Sequence, residues 1–198
     1  MFFLNVNGGR KMDTKKRPII IDTDPGIDDA VALAIALNHP NLEVRLITTV
    51  AGNVDVEKTT NNALKLVDFF GKKVPVAKGC NCPLLIQLED SAEIHGENGM
   101  DGFEFPQPIS TCLDIHAVEA MRKEILSSDV PLTIVPIAAL TNIALLLTLY
   151  PEVKENIAEI VMMGGSLARG NTNTSAEFNT YVDPHAAQIV FQSGVPLT

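Results

Sequence analysis

The sequence is poor in cysteine, in positive charge and in long apolar runs, and each shortage removes a class of function. Its three cysteines, Cys80, Cys82 and Cys112, are too few and odd in number for a disulfide framework. A reducing, cytoplasmic compartment is therefore expected. Cys80 and Cys82 lack a second ligand pair at zinc-site spacing, which argues against structural zinc. Lys and Arg number 15 against 24 Asp and Glu, giving a formal net charge of -9. Such a chain is a poor partner for a phosphate backbone or an anionic membrane, so neither a nucleic-acid polymer nor a membrane is an expected ligand. No apolar run is long enough to cross a bilayer uninterrupted. The acid excess suits a cation or a neutral ligand.

What is present points to a packed domain. Hydrophobic residues make up 46% of the 198 and charged residues 20%, a balance that supports one core and argues against disorder. At the start, "MFFLNVNGGRKM" places its positive charges after the apolar residues, the reverse of a signal peptide. Met12 is an alternative start, with "GGRK" before it readable as the translation of a ribosome-binding site. Residues 1–17 are expected to form a disordered extension and 18–198 the domain.

Along that domain two periods alternate. "RPIIID" (Arg17 to Asp22) is a short apolar run, as in a parallel strand buried on both faces. Asp28 and Asp29 open "DDAVALAIALNHP", a helix stopped by Pro40. Because nearly all its side chains are apolar, this helix is expected to be deeply buried. Leu42 to Val50 reads as a strand, "VEKTTNNALKLVDFFG" as an amphipathic helix ending at Gly71, and "VPVAKG" as a third strand. Cys80 to Ser110 is a long loop of the kind that is functional or disordered. Then follow a helix in "IHAVEAMRKEILSS", a strand at Leu132 to Ile137, and a helix in "ALTNIALLLTLYP" capped by Thr141 or a neighbour. A strand in "IAEIVMMGG", a polar loop, a helix in "DPHAAQIVFQSG" and the start of a strand in "VPLT" complete the series. Asp183 before Pro184 reads as an N-cap. This alternation predicts an α/β fold: an open, mostly parallel sheet with helices on both faces.

In such sheets ligands bind beyond the carboxyl ends of the strands. The polar signals gather there: Asp22 to Asp29, Asn53, Ile137 to Thr141, and Gly164 to Asn179. Four carboxylates within "DTDPGIDD" repel one another unless a cation is present. Oxygen-only ligands select calcium or magnesium over zinc. A plainer reading makes the acids helix caps in a surface turn. Another makes Asp22-x-Asp24 a phosphatase motif, but no strand-end lysine accompanies it.

The motifs carry a resemblance. "DTDPGIDDA", "ITTVAGN" (Ile47 to Asn53), "IHGENGMDG" (Ile94 to Gly102), "ALTNIA" (Ala139 to Ala144), "VMMGG" (Val161 to Gly165) and "GNTNTSAEFNTYVDPHAA" (Gly170 to Ala187) follow one another from Pro18 onward. Their order and spacing resemble those of the inosine-uridine-preferring nucleoside hydrolase family. That resemblance implies a Rossmann-like nucleoside hydrolase fold and hydrolysis of the N-glycosidic bond of ribonucleosides to ribose and free base. It implies a bound Ca2+ held by Asp24, Asp29 and the backbone carbonyl of Ile137, with Asp24 as general base for a calcium-bound water. Asp28, Asn53, Asn171, Glu177 and Asn179 resemble the residues that hold the sugar hydroxyls, and Met163 the residue packed on the sugar. His95 falls in the loop on the base side of the pocket. Dimers or tetramers are implied, as is a role in nucleoside salvage.

Taken singly, several of these residues have simpler readings. Asn53 after Gly52 is a good turn residue. Glu177 and Asn179 are ordinary loop polarity, His95 an exposed loop residue and Met163 a core residue. His116 and His185 lie in predicted helices and match no family role. Members of the family continue well beyond this stretch and there supply another calcium-binding aspartate and, in many, an adjacent histidine. A C-terminally truncated, impaired and association-prone form of the domain is expected. A remnant that binds calcium or ribose without catalysis is the alternative.

Overall fold

A computed structural model describes residues 16–198. The alternative start at Met12 and nearly all of the expected N-terminal extension lie outside the described residues.

Five strands form one sheet: β1 (Arg17–Thr23), β2 (Leu42–Thr49), β3 (Val76–Lys78), β4 (Leu132–Pro136) and β5 (Ile157–Ile160). Every pairing is parallel, in the order β3-β2-β1-β4-β5. The apolar run of β1 makes it the central strand, since both its faces are covered. Ile19 and Ile21 point into one core and Ile20 into the other. The chain moves outward from β1 to β2 and β3, then crosses back to β4. The order therefore reverses beside β1, which opens a crevice at the carboxyl ends of β1 and β4.

Right-handed crossovers set the helices on opposite faces. Helices α1 (Ile27–Asn38) and α2 (Val56–Phe69) lie on the Ile19/Ile21 side. Helix α3 (Ala92–His95) is a single turn inside the long loop after β3. Helices α4 (Ala117–Ser127), α5 (Thr141–Leu149) and α7 (Pro184–Phe191) pack on the other side against Ile20, Leu46 and Ile134, and short α6 (Phe178–Val182) precedes α7. Asp183 caps α7, its carboxylate accepting from the Ala186 N–H at 3.0 Å. Among the described residues no helix is long and apolar enough to cross a membrane.

Four expectations are corrected. Helix α1 is not deeply buried: Val31 is 58% and Ile35 61% exposed, and only Asp29 and Leu33 are fully enclosed. An all-apolar helix needs a second covering surface, and the described residues provide cover on the sheet side only. Strand β5 stops at Ile160, although Val161 and Met163 still donate to the carbonyls of Ile134 and Pro136. Pro136 has no N–H with which to complete the ladder. The segment expected to be wholly a polar loop contains α6. His116 lies at the N-cap of α4 rather than within it, its Nδ1 accepting from the Val118 N–H at 3.3 Å.

Candidate active site

Asp24 ends the run that begins as β1, and the Pro25-Gly26 turn leads into α1. Gly26 is the N-cap of that helix, so Asp28 and Asp29 occupy its second and third positions. Asp29 accepts the Gly26 N–H at 3.1 Å, the carboxylate half of a capping box. It also accepts from the Thr23 hydroxyl at 2.6 Å and the Asn53 side-chain amide at 3.3 Å. The helix-cap reading of Asp29 is thus correct as far as it goes, and the same carboxylate faces the crevice. Asp28 is exposed at its rim.

Asp24 is almost wholly buried. Its Oδ2 accepts the Asn53 N–H at 2.7 Å, while Oδ1 has no hydrogen-bond partner. Asn53 binds back, its amide donating to the Asp24 carbonyl at 3.0 Å. This approach requires glycine at position 52, because a Cβ there would overlap Oδ2 of Asp24. Burial, followed by repulsion from Asp29, raises the Asp24 pKa well above the usual carboxylate range. Burial raises that of Asp29 as well, against the lowering effect of the Thr23 hydroxyl.

The opposite wall comes from the chain after β5. Glu177 is the N-cap of α6 and accepts from the Asn179 N–H at 2.9 Å and the Thr180 N–H at 3.3 Å. It also accepts the Gly165 N–H at 3.0 Å, tying α6 to the end of the β5 segment. The Asn179 amide donates to the carbonyls of Ile137 (3.2 Å) and Met163 (3.0 Å). Asn171 holds the loop closed by accepting the Phe178 N–H at 2.9 Å. Met163 is 49% exposed at the rim, not in the core. On the third side His95, in α3, accepts weakly from the Ile27 N–H at 3.4 Å.

All ten residues singled out from the sequence therefore line one cleft of about 220 Å³, roughly seven times the volume of a water in the liquid. Ser91, Ile94, Thr172 and Phe178 line it too; the last three fall within the quoted motifs without having been singled out, and Ser91 falls outside them. Ser91 is the informative omission, because its hydroxyl donates to Asn53 Oδ1 at 2.9 Å and fixes which way that amide points. No lysine or arginine lines the cleft, so the lysine that the phosphatase reading calls for has no counterpart there. Among the described residues no three acid, histidine or cysteine side chains converge as a metal cluster. The oxygens available to a cation are the carboxylates of Asp24 and Asp29 and the Ile137 carbonyl. A hard divalent ion fits that donor set, and Oδ1 of Asp24 has no hydrogen-bond partner to compete with it.

Fold and cleft define the class: a doubly wound α/β domain whose oxygen-rich site sits at the reversal of strand order. Residues 19–198 match the model of the inosine-uridine preferring nucleoside hydrolase family, and the chain belongs to that family. Over 180 residues it is 53% identical to the non-specific ribonucleoside hydrolase RihC of Klebsiella pneumoniae (strain 342), covering 91% of this chain and 59% of that protein. To RihC of Salmonella typhimurium it is 52% identical, covering 90% and 58%. The purine-preferring ribonucleoside hydrolase from Gardnerella vaginalis superposes with a TM-score of 0.87 at 37% identity, over 91% of this chain and 59% of that one. A plant nucleoside hydrolase, the PpNRh1 enzyme, gives 0.84 at 34% identity, over 91% and 58%. The chain thus spans about three-fifths of the length of these relatives.

Proposed function

We propose that this chain carries the sugar-binding and water-activating part of a calcium-dependent ribonucleoside hydrolase, which splits the N-glycosidic bond to give ribose and free base. One observation carries the reading: the buried, unpartnered Oδ1 of Asp24, held at the bottom of a cleft lined by amides and carboxylates. Cleavage of an N-glycoside passes through an oxocarbenium-like state that a water captures, as in glycosidases. In this reading Asp24 takes the proton of that water. The Asn53 N–H fixes one carboxylate oxygen and leaves the other free to reach a water. Asn53, Asn179, Glu177 and Asp28 offer the mixture of donors and acceptors that sugar hydroxyls require, and fixing the ring removes orientational freedom before reaction. Asn171 closes the loop above them. Met163 supplies the apolar contact at the rim, and His95 faces the side left for the base. Asp24, Asp29 and the Ile137 carbonyl would hold the ion. When bound, calcium would supply positive charge that favours the ionised acids, lower the pKa of a water and attract the hydroxyls.

Ribose release from inosine and uridine, measured in calcium buffer, tests this. Wild type is expected to release ribose at an impaired rate, and Asp24→Asn to be slower still by about 10²-fold or more. An undiminished rate in that variant defeats the mechanism. The three-fifths span favours a second reading, a remnant that binds calcium or ribose without catalysis. Calorimetric binding of ribose to wild type with no release identifies it.

A further inference from the structure

The long loop after β3 carries His95 to the cleft and is pinned on both sides of it. On the near side the pin is Ser91, whose N–H donates to the Asn53 carbonyl at 3.1 Å and whose hydroxyl donates to Asn53 Oδ1. On the far side it is Asn62, a buried residue of α2 that does not line the cleft. Its amide nitrogen donates to the Asn98 carbonyl at 2.7 Å and to the Pro25 carbonyl at 3.1 Å. A primary amide has two N–H donors, so both are used, one on each wall of the site. Because both partners are carbonyl oxygens, only the nitrogen can face them, which fixes the orientation of the amide. Among the described residues no other group donates to either carbonyl.

The two carbonyls mark the parts of the site whose spacing matters. Pro25 lies between Asp24 and the head of α1, in the turn of the four acids. Asn98 lies just beyond His95, and the backbone between them folds on itself. The Gly99 N–H donates to the Gly96 carbonyl at 3.0 Å and the Asp101 N–H to the His95 carbonyl at 3.1 Å. Gly99 has a φ of +83°, and a Cβ there would come within 3.1 Å of the Asn62 amide nitrogen, so the loop packs directly on that side chain. The direct hydrogen bond between the turn and the imidazole, from the Ile27 N–H to Nδ1, is 3.4 Å long, near the limit for such a bond. It is the weaker tie. The Asn62 bonds are shorter and come from an amide that is only 2% exposed, where a hydrogen bond is electrostatically stronger than in water. We propose that Asn62 is a positioning residue: it couples the Asp24–Asp29 turn to the loop of His95 and so sets where the imidazole stands in the cleft. Calling that side the base side rests on the function proposed above; the coupling itself does not.

The test is nuclear magnetic resonance of the full 198-residue chain without substrate. Its four histidines give one probe, His95, assigned by its loss in His95→Gln, and three internal controls. Asn62→Ala is expected to move the His95 imidazole and Ile27 amide signals and to leave those of His39, His116 and His185 in place. Hydrogen exchange of the Asp101 amide should quicken by about tenfold or more. Exchange of the Ala120 amide, which donates to the His116 carbonyl in α4, should change less. Gly99→Ala presses on Asn62 from the loop side without altering α2. It is expected to give the same pattern, and it decides the matter if Asn62→Ala does not fold. The inference is overturned if a folded Asn62→Ala, or Gly99→Ala in its place, leaves the His95 and Ile27 signals where they were. Movement of all four histidines together, or equal quickening of both amides, also overturns it, since Asn62 would then serve the fold at large. Ribose release plays no part in these readouts, so this inference and the proposed function fail separately.

Discussion

Asp22 and Asp24 are two residues apart and both buried, yet they do different work. Each has one buried oxygen without a hydrogen-bond partner, but Asp24 looks into the cleft. Asp22 looks into the α4/α5 core, where one oxygen accepts from the Thr48 hydroxyl and the Asn142 amide. It ties β1 to β2 and to the start of α5. Burial pushes its pKa up to about 7 from an ordinary 3.8, against the lowering effect of both partners. The protonated form is therefore favoured by folding. Its contribution to stability is full below about 3.8 and is lost as pH rises through about 7, with an upper limit on the order of 4 kcal/mol. Urea unfolding of wild type should show this decline across that window, and Asp22→Asn, which cannot titrate, should show less of it. An identical pH profile in the variant would refute the assignment. The sequence marked Asp22 as one of four repelling acids but could not divide the four by role. That division depends on which way each side chain leaves the strand and on Thr48 and Asn142, which are distant in sequence.

At the scale of elements, the strand ends were legible because chemistry and position coincide there. A polar residue directly after an apolar run has one place to be, and Asp24 and Asn53 both followed that rule into the cleft, whereas apolar Ile137 was marked only by the resemblance. Elements whose state depends on remote cover were not legible. Helix α1 reads as buried from composition alone, and its outer stripe departs from that. Helix α6 is five residues long and contains no period to detect. Its start is set by Glu177, whose carboxylate gathers three N–H groups from α6 and Gly165. Removing such a cap costs about 1–2 kcal/mol. Glu177→Ala is expected to lose that much in denaturant unfolding, and Glu177→Gln, which retains an acceptor oxygen, to lose less. Equal stabilities of all three proteins would show that the cap contributes nothing and leave the residue only its place in the cleft.

For the molecule as a whole, the paired acids make stability a function of both pH and cation. With their pKa values raised, Asp24 and Asp29 favour the fold when protonated and disfavour it as pH climbs through their folded values. A divalent cation reverses that balance by stabilising the charged pair. Thermal unfolding of wild type should therefore give a melting temperature that falls between pH 5 and pH 8 without calcium. Millimolar calcium should restore it, with the larger gain at pH 8. At a hundred times the dissociation constant the gain is about 2.7 kcal/mol, and Asp24→Asn should lose most of it. A melting temperature indifferent to calcium at both pH values would count against the cation reading and would leave the acids as caps.

The two acids are also alike in what a change at each would affect. Asp29 accepts from Gly26 at the head of α1 and faces the cleft with the same carboxylate. Position 29 is therefore pleiotropic: no substitution there can alter the site without also altering how a helix begins. Asp24 shares the problem at the other strand end, since its carboxylate also holds the Asn53 N–H of the turn after β2. Genetic variation at either acid would then be filtered by a single sieve, in which the level of the protein and the state of its cleft change together.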